Sequence, residues 1–203
     1  MKIKTAVFVS GGGTNLQALI DAQKAGAFPN GKIVLVMASN PKAYALERAK
    51  NAGIESVVVS RKSFDDPADY DRAVVETLQS RGIELVVLAG FLSILGKPVI
   101  DAYPERILNI HPSLIPSFCG AGFYGLRVHQ AALDYGVKIT GATVHLVNEI
   151  PDGGRILLQK AVEVLPGDTP ELLQKRVMEQ AEWKLLPQAV AMLCEQLEQE
   201  KGN

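Results

Sequence analysis

Asn109-Ile110-His111-Pro112 places a carboxamide and an imidazole two residues apart, and in an extended segment that spacing puts both on one face. Side by side they could hydrogen-bond a developing oxyanion, although a lone histidine is more often structural. Further along, Asp152 stands in Asn148-Glu149-Ile150-Pro151-Asp152-Gly153-Gly154. It reads either as a turn former bonded to its own backbone or as a partner for His111. In the second role it would favour the imidazolium, fix the ring and suit proton transfer near neutral pH.

A third candidate is Ser10-Gly11-Gly12-Gly13-Thr14-Asn15. Backbone amides and a helix N-terminus would converge there, which suits an anion such as phosphate. The loop lacks the Lys-Ser/Thr pair of a Walker loop and the GxGxxG spacing of a dinucleotide site. A tight turn followed by a helix capped by Thr14 or Asn15 explains the same residues.

Positioning these groups requires strands with free carboxyl ends. Thr5 to Ser10 is a short apolar, β-branched run that feeds the glycines, and Leu16, Leu19 and Ile20 follow at helical spacing. The alternation repeats: a strand over Ile33–Met37, a helix over Ala43–Ala52, a strand over Val57–Val59, a helix carrying Tyr70, Val74, Val75 and Leu78, and a strand over Leu85–Leu88. This predicts an α/β fold, doubly wound around a mostly parallel sheet with helices on both faces, and ligands bind beyond the carboxyl ends of such strands. Strand candidates Ile107–Ile110, Ile139–Val147 and Ile156–Val162 sit between Gly- and Pro-rich loops, so the sheet is expected to be mixed. Thr169-Pro170-Glu171 opens a helix well, expected to run to about Glu198 with a bend near Pro187.

The 203 residues, 47% hydrophobic and 21% charged, fit one soluble domain over 1–203. A formal net charge of -1 gives no electrostatic reason to expect nucleic acid. Cys119 and Cys194 lie far apart without metal-ligand spacing, so no metal is expected and the thiols read as reduced. No apolar run reaches the roughly 20 residues that cross a bilayer, and no leader-like segment precedes the first strand. The expectation is a cytoplasmic protein without membrane contact, monomer or homodimer.

Taken together, Ser10 to Leu16, Leu88-Ala89-Gly90-Phe91, Asn109 to Pro116, and Thr143-Val144-His145 leading into Asp152-Gly153-Gly154 resemble the glycinamide ribonucleotide formyltransferases of purine biosynthesis, from the first strand to the last helix. The resemblance implies the formyltransferase fold, with 1–100 as a phosphate-binding half and 101–203 as a catalytic and folate-binding half. It implies attack of the ribonucleotide's amine on the formyl carbon of 10-formyltetrahydrofolate, with no covalent enzyme intermediate and no metal. Asn109 and protonated His111 would hold the tetrahedral oxygen while Asp152 supports the imidazolium. Gly11, Gly12, Gly13, Thr14 and Asn15 would take the phosphate, and Glu182 would help hold the ribonucleotide. Folate would lie against Phe91, Leu92, Ser93, Ile94, Leu95, Asn148 and Glu149, with Arg72 toward its glutamate tail. His145 would stand behind the catalytic residues, and His129 reads as structural.

Two departures stand out. Ser93 replaces an arginine common in the family, and Cys119-Gly120-Ala121-Gly122-Phe123-Tyr124-Gly125 is longer than the usual connection. It reads as a flexible loop beside the substrates. Alternatives with the same core are methionyl-tRNA formyltransferase and formyltetrahydrofolate deformylase, both usually with an additional domain. A non-catalytic nucleotide or folate sensor would not need the Asn-His-Asp set.

Overall fold

The computed structural model describes residues 1–202. Its strands are β1 (Ile3–Val9), β2 (Gly31–Ala38), β3 (Glu55–Val58), β4 (Leu85–Leu88), β5 (Ile107–His111), β6 (Ile139–Leu146) and β7 (Ile156–Glu163). They form one sheet in the order β3-β2-β1-β4-β5-β6-β7. β1 to β5 pair in parallel, and β6 and β7 continue antiparallel. The expected mixed, mostly parallel sheet is therefore present, with its antiparallel part confined to one side.

Alternate residues of β1 enter different cores, as a strand buried on both faces requires. Val7 and Val9 join one cluster with Leu16, Leu19 and Ile20 of α1 (Thr14–Lys24), Ala45 and Ala49 of α2 (Ala45–Asn51) and the C-terminal helix. Ala6 and Phe8 join the other, with Tyr70, Val74 and Leu78 of α3 (Pro67–Gln79) and Val99 of α4 (Lys97–Ala102). Helices thus cover both faces. From β1 the chain winds outward through β2 and β3 and then returns to β4 on the other side of β1. The crevice at the carboxyl ends of β1 and β4 is the place where such a sheet takes ligand.

Capping matches expectation at the Thr169 helix start, departs from it at α1, and adds a cap at α3 that the sequence reading did not name. Asp66 accepts the Ala68 N–H at 2.8 Å ahead of Pro67 in α3, and Thr169 accepts the Leu172 N–H at 3.3 Å ahead of Pro170 in α6 (Pro170–Val177). At α1, however, neither Thr14 nor Asn15 is the cap. Gly13 occupies that position in the left-handed region, φ 70°, and no side chain caps the helix. The six-residue α4 escapes a sequence reading because it buries a single apolar residue, Val99.

The last helix is also interrupted earlier than expected. After α6, residues Met178–Glu182 widen into a π turn in which the Trp183 N–H reaches back to the Met178 carbonyl, and α7 (Trp183–Gly202) follows. Pro187 lies inside α7, one turn past the irregularity. Its missing N–H and its ring exclude a normal bond to the Trp183 carbonyl, and the chain deviates on the N-terminal side of that gap. α5 (Leu126–Tyr135) completes the set. None of the described helices is long and apolar enough to cross a membrane.

Candidate functional site

Strand register builds the centre of the site. Asn109 of β5 faces Leu88 of β4 and His145 of β6, and His111 faces Thr143. Asn109 Nδ2 lies 3.0 Å from His145 Nε2 and donates to Asp152 Oδ1 at 3.3 Å. His145 Nδ1 donates to the Leu146 carbonyl at 2.8 Å, which leaves Nε2 as an acceptor for the Asn109 amide. His111 Nδ1 is 3.4 Å from Asp152 Oδ2. All three expected catalytic residues, with His145 behind them, therefore meet around one carboxylate.

Asp152 reaches them from the loop after β6 with φ 56°, a left-handed conformation that aspartate tolerates better than most residues. Gly154 anchors that loop so closely to the Leu146 carbonyl that a Cβ would collide with it. The Asp152 carboxylate bonds Asn109 and the Gly120 N–H and faces His111, while the side-chain bond to the loop's own backbone is made by Asn148, which accepts the Ile150 N–H.

Electrostatics divide the pair's roles. Burial lowers the pKa of His111 below its usual value, although the Asp152 charge and the Phe118 carbonyl oppose this. Burial also acts to raise Asp152, but His145, the His111 charge and the Gly120 N–H outweigh it and hold the carboxyl below its ordinary range. At neutral pH the unliganded site therefore holds an ionised carboxylate beside a neutral imidazole.

On the other side of the crevice, the glycine loop presents helix α1. Ala45 donates its N–H to the Gly11 carbonyl at 3.1 Å, and Arg48 Nε donates to the Gly12 carbonyl at 2.8 Å. The first backbone bond of the helix runs from Gln17 N–H to the Gly13 carbonyl, so amides of the first turn point outward as an anion site requires. Asn15 Nδ2 donates to Glu182 Oε2 at 2.6 Å, and burial pushes the Glu182 carboxyl up to about 7. The π turn carries Glu182 inward, a frequent use of this irregularity.

Two cavities meet at these residues. The more polar one, of about 250 Å³, is lined by Thr14, Asn15, His111, Gln174, Met178 and Glu182, and by Asn109 and Asp152. A more apolar one of about 350 Å³ is lined by Phe91 to Leu95, by the 120–124 segment and by the loop from Asn148 to Asp152. Asn109 and Asp152 line both. Phe91 is fixed edge-on to Phe8 with ring centroids 5.1 Å apart. At the rim, Asn148 Oδ1 accepts the Ile150 N–H and Glu149 pairs with Lys97 at 3.4 Å. Arg72 is the exception among the expected residues. It stands on the exposed side of α3, paired with Asp69 at 3.2 Å, and lines neither cavity.

Sequence reasoning missed Arg48, Gln174 and Met178, which have no motif to mark them. It noted the 119–125 stretch without seeing that Phe118 and Gly120 bond His111 and Asp152 directly, at 2.9 and 2.8 Å. His129 is fully buried on α5 without a hydrogen-bond partner for either ring nitrogen. Among the described residues, no group of three or more His, Cys, Asp or Glu side chains is placed to hold a metal ion.

Comparison with known proteins places this architecture. The formyl transferase family model matches residues 3–190. Phosphoribosylglycinamide formyltransferase of Haemophilus influenzae is 41% identical over 192 residues, 95% of this chain and 87% of that protein. The chloroplastic enzyme of that name from Arabidopsis thaliana is 42% identical over 195 residues, 95% of this chain and 66% of the relative. The trifunctional purine biosynthetic protein adenosine-3 of Gallus gallus is 42% identical over 194 residues, again 95% of this chain but only 18% of the relative. The chain thus spans about two thirds of the plant protein and under a fifth of the trifunctional one. Among solved structures, glycinamide ribonucleotide transformylase 1 from Symbiobacterium toebii superposes with a TM-score of 0.89 at 41% identity, covering 96% of this chain and 88% of that one.

Proposed function

This chain belongs to the formyl transferase family, and we propose that it transfers the formyl group of 10-formyltetrahydrofolate to the primary amine of glycinamide ribonucleotide in de novo purine biosynthesis. The observation that carries this reading is the shared wall between the two cavities. The more polar cavity, beside a helix N-terminus, suits a phosphorylated amine, the more apolar one suits a flat pteridine, and Asn109 and Asp152 line both. The names of the relatives in Haemophilus influenzae and Arabidopsis thaliana support the substrate assignment.

In this reading the 5′-phosphate rests on Gly11 to Asn15, and Glu182 holds the sugar end of the ribonucleotide. The amine attacks the formyl carbon, and the carbonyl oxygen becomes an oxyanion beside Asn109. Its long 3.3 Å bond to Asp152 is the contact that this oxygen displaces. The proton shed by nitrogen is taken up by the His111–Asp152 pair and returned to the departing folate nitrogen. Transfer is direct, with no acyl-enzyme. Residues 1–203 act as one domain.

Incubating the protein with both substrates and following the appearance of tetrahydrofolate tests the assignment. His111→Ala and Asp152→Ala should each lower turnover by about 10²–10⁴-fold, as expected for lost acid–base groups, while retaining the native circular dichroism. Near-normal turnover in either variant would remove these residues from the chemistry.

A further inference from the structure

Both ring nitrogens of His111 are engaged, by partners that make different demands. Nε2 lies 2.9 Å from the Phe118 carbonyl. A carbonyl oxygen only accepts, so a hydrogen bond there requires the proton on Nε2. Nδ1 lies 3.4 Å from Asp152 Oδ2. A ring with one proton therefore satisfies Phe118 and turns the Nδ1 lone pair toward a carboxylate. That juxtaposition is unfavourable until a second proton arrives and bridges Nδ1 to Oδ2.

The same short segment also fixes the carboxylate, because the Gly120 N–H donates to Asp152 Oδ2 at 2.8 Å. Both contacts are made by main-chain atoms, the Phe118 carbonyl and the Gly120 N–H, of residues two apart in the chain. Phe118 adopts φ 51° and Gly120 φ 86° to present them. The Phe118 ring is held edge-on to Tyr135 at 6.0 Å and packs beside Phe123 at 6.5 Å. A side chain thus anchors what the backbone offers, in a stretch that the sequence marks only as glycine-rich.

We propose that the backbone of residues 118–120 is a positioning element of the site. The Phe118 carbonyl keeps a proton on His111 Nε2, the Gly120 N–H turns Asp152 Oδ2 toward His111 Nδ1, and Nδ1 is in consequence the atom that receives the proton from the attacking amine. The inference rests on the formyl-transfer reading above. As nitrogen bonds to the formyl carbon, the carbonyl electron pair moves onto oxygen. The N–H pair returns to nitrogen and the proton passes to Nδ1. When the tetrahedral intermediate collapses, the carbon–nitrogen bond to the folate breaks, its electrons stay on that nitrogen, and the proton follows. The imidazolium then acts on the oxyanion by its charge, because both of its N–H groups are occupied.

The titratable groups around this pair come from several elements. Asp152 is faced by His111 of β5, His145 of β6 and Cys119 of the loop, and His111 is faced by His129 of α5 as well. Glu182 lines the same cavity as His111.

Two measurements test the proposal. Long-range proton–nitrogen correlation spectra, with the His111 signals assigned by their loss in His111→Gln, report the tautomer without any turnover. Nε2–H at neutral pH is expected, and Nδ1–H overturns the proposal. The second measurement replaces the Gly120 amide by an ester, through incorporation of glycolic acid at that position, which removes the N–H alone. Loss of a charge-assisted bond to Asp152 should lower kcat about tenfold at the acid end of the pH profile and move that limb upward, with both KM values within about twofold. An unmoved acid limb overturns the proposal. The wild-type protein is assayed alongside, so that absent formyl transfer there defeats the functional reading while the tautomer still decides the role of the loop. Should the ester protein fail to fold, the spectra decide alone.

Discussion

Replacing Glu182 by glutamine measures what that buried carboxyl costs the fold. Burial raises it from the ordinary 4.5 to about 7 despite the Asn15 amide donating to it. The folded protein therefore holds the proton more tightly than the unfolded chain. Its stabilising contribution is complete below about 4.5 and is lost as pH rises through about 7. Over that span of about 2.5 pH units, at about 1.36 kcal/mol per unit, the loss is about 3 kcal/mol. Glu182→Gln keeps the shape and an acceptor for Asn15 without the charge. Urea denaturation of both proteins at intervals from pH 4.5 to pH 8 should show the variant gaining on the wild type by about 3 kcal/mol as pH rises, and little beyond. A gap that stays constant across this range would refute burial as the cause. Assayed with both substrates, the same variant should raise KM for the ribonucleotide more than it lowers kcat.

Gly13→Ala should destabilise the protein by about 2–3 kcal/mol in thermal melts, because a Cβ there would sit 2.6 Å from the Ala45 Cβ on a backbone with φ 70°; a loss below about 0.5 kcal/mol would show that α2 yields. Arg48→Gln should weaken ribonucleotide binding about tenfold with kcat nearly unchanged, because it removes the only cation bonded to the glycine loop among the described residues, at Gly12. Competition by inorganic phosphate would weaken in parallel, and an unaltered inhibition constant would count against the phosphate role of that loop.

The strands were the most legible part, because buried parallel strands are near-continuous apolar runs and Ile33–Met37 or Leu85–Leu88 have no competing pattern. Strand boundaries moved by at most two residues, and Leu85–Leu88 not at all. Asn109, His111 and Asp152 were legible as types at strand ends, and the tertiary fold supplies the contact between them. Three features were hidden for separate reasons. The π turn at Met178–Glu182 depends on where the helix relieves Pro187, and the proline marks only the neighbourhood. The helix cap fell to Gly13 because α2 packs against the glycine loop and no hydroxyl is needed there. The bonds from Phe118 and Gly120 come from backbone atoms, which every residue carries, so no side-chain pattern could announce them. Arg72 was placed by resemblance alone, and the exposed side of α3 carries it away from both cavities.

The Asn15–Glu182 bond joins residues 167 apart in the chain, and Met178 on the same π turn accepts from Thr14 Oγ1. During synthesis the glycine loop and the parallel strands leave the ribosome long before the segment that faces them. A nascent chain halted before Met178 carries the glycine loop but lacks the cavity wall that Met178 and Glu182 supply. The contacts that the π turn makes to Thr14 and Asn15 thus form later than the glycine loop itself, only after residues 178–182 have been made.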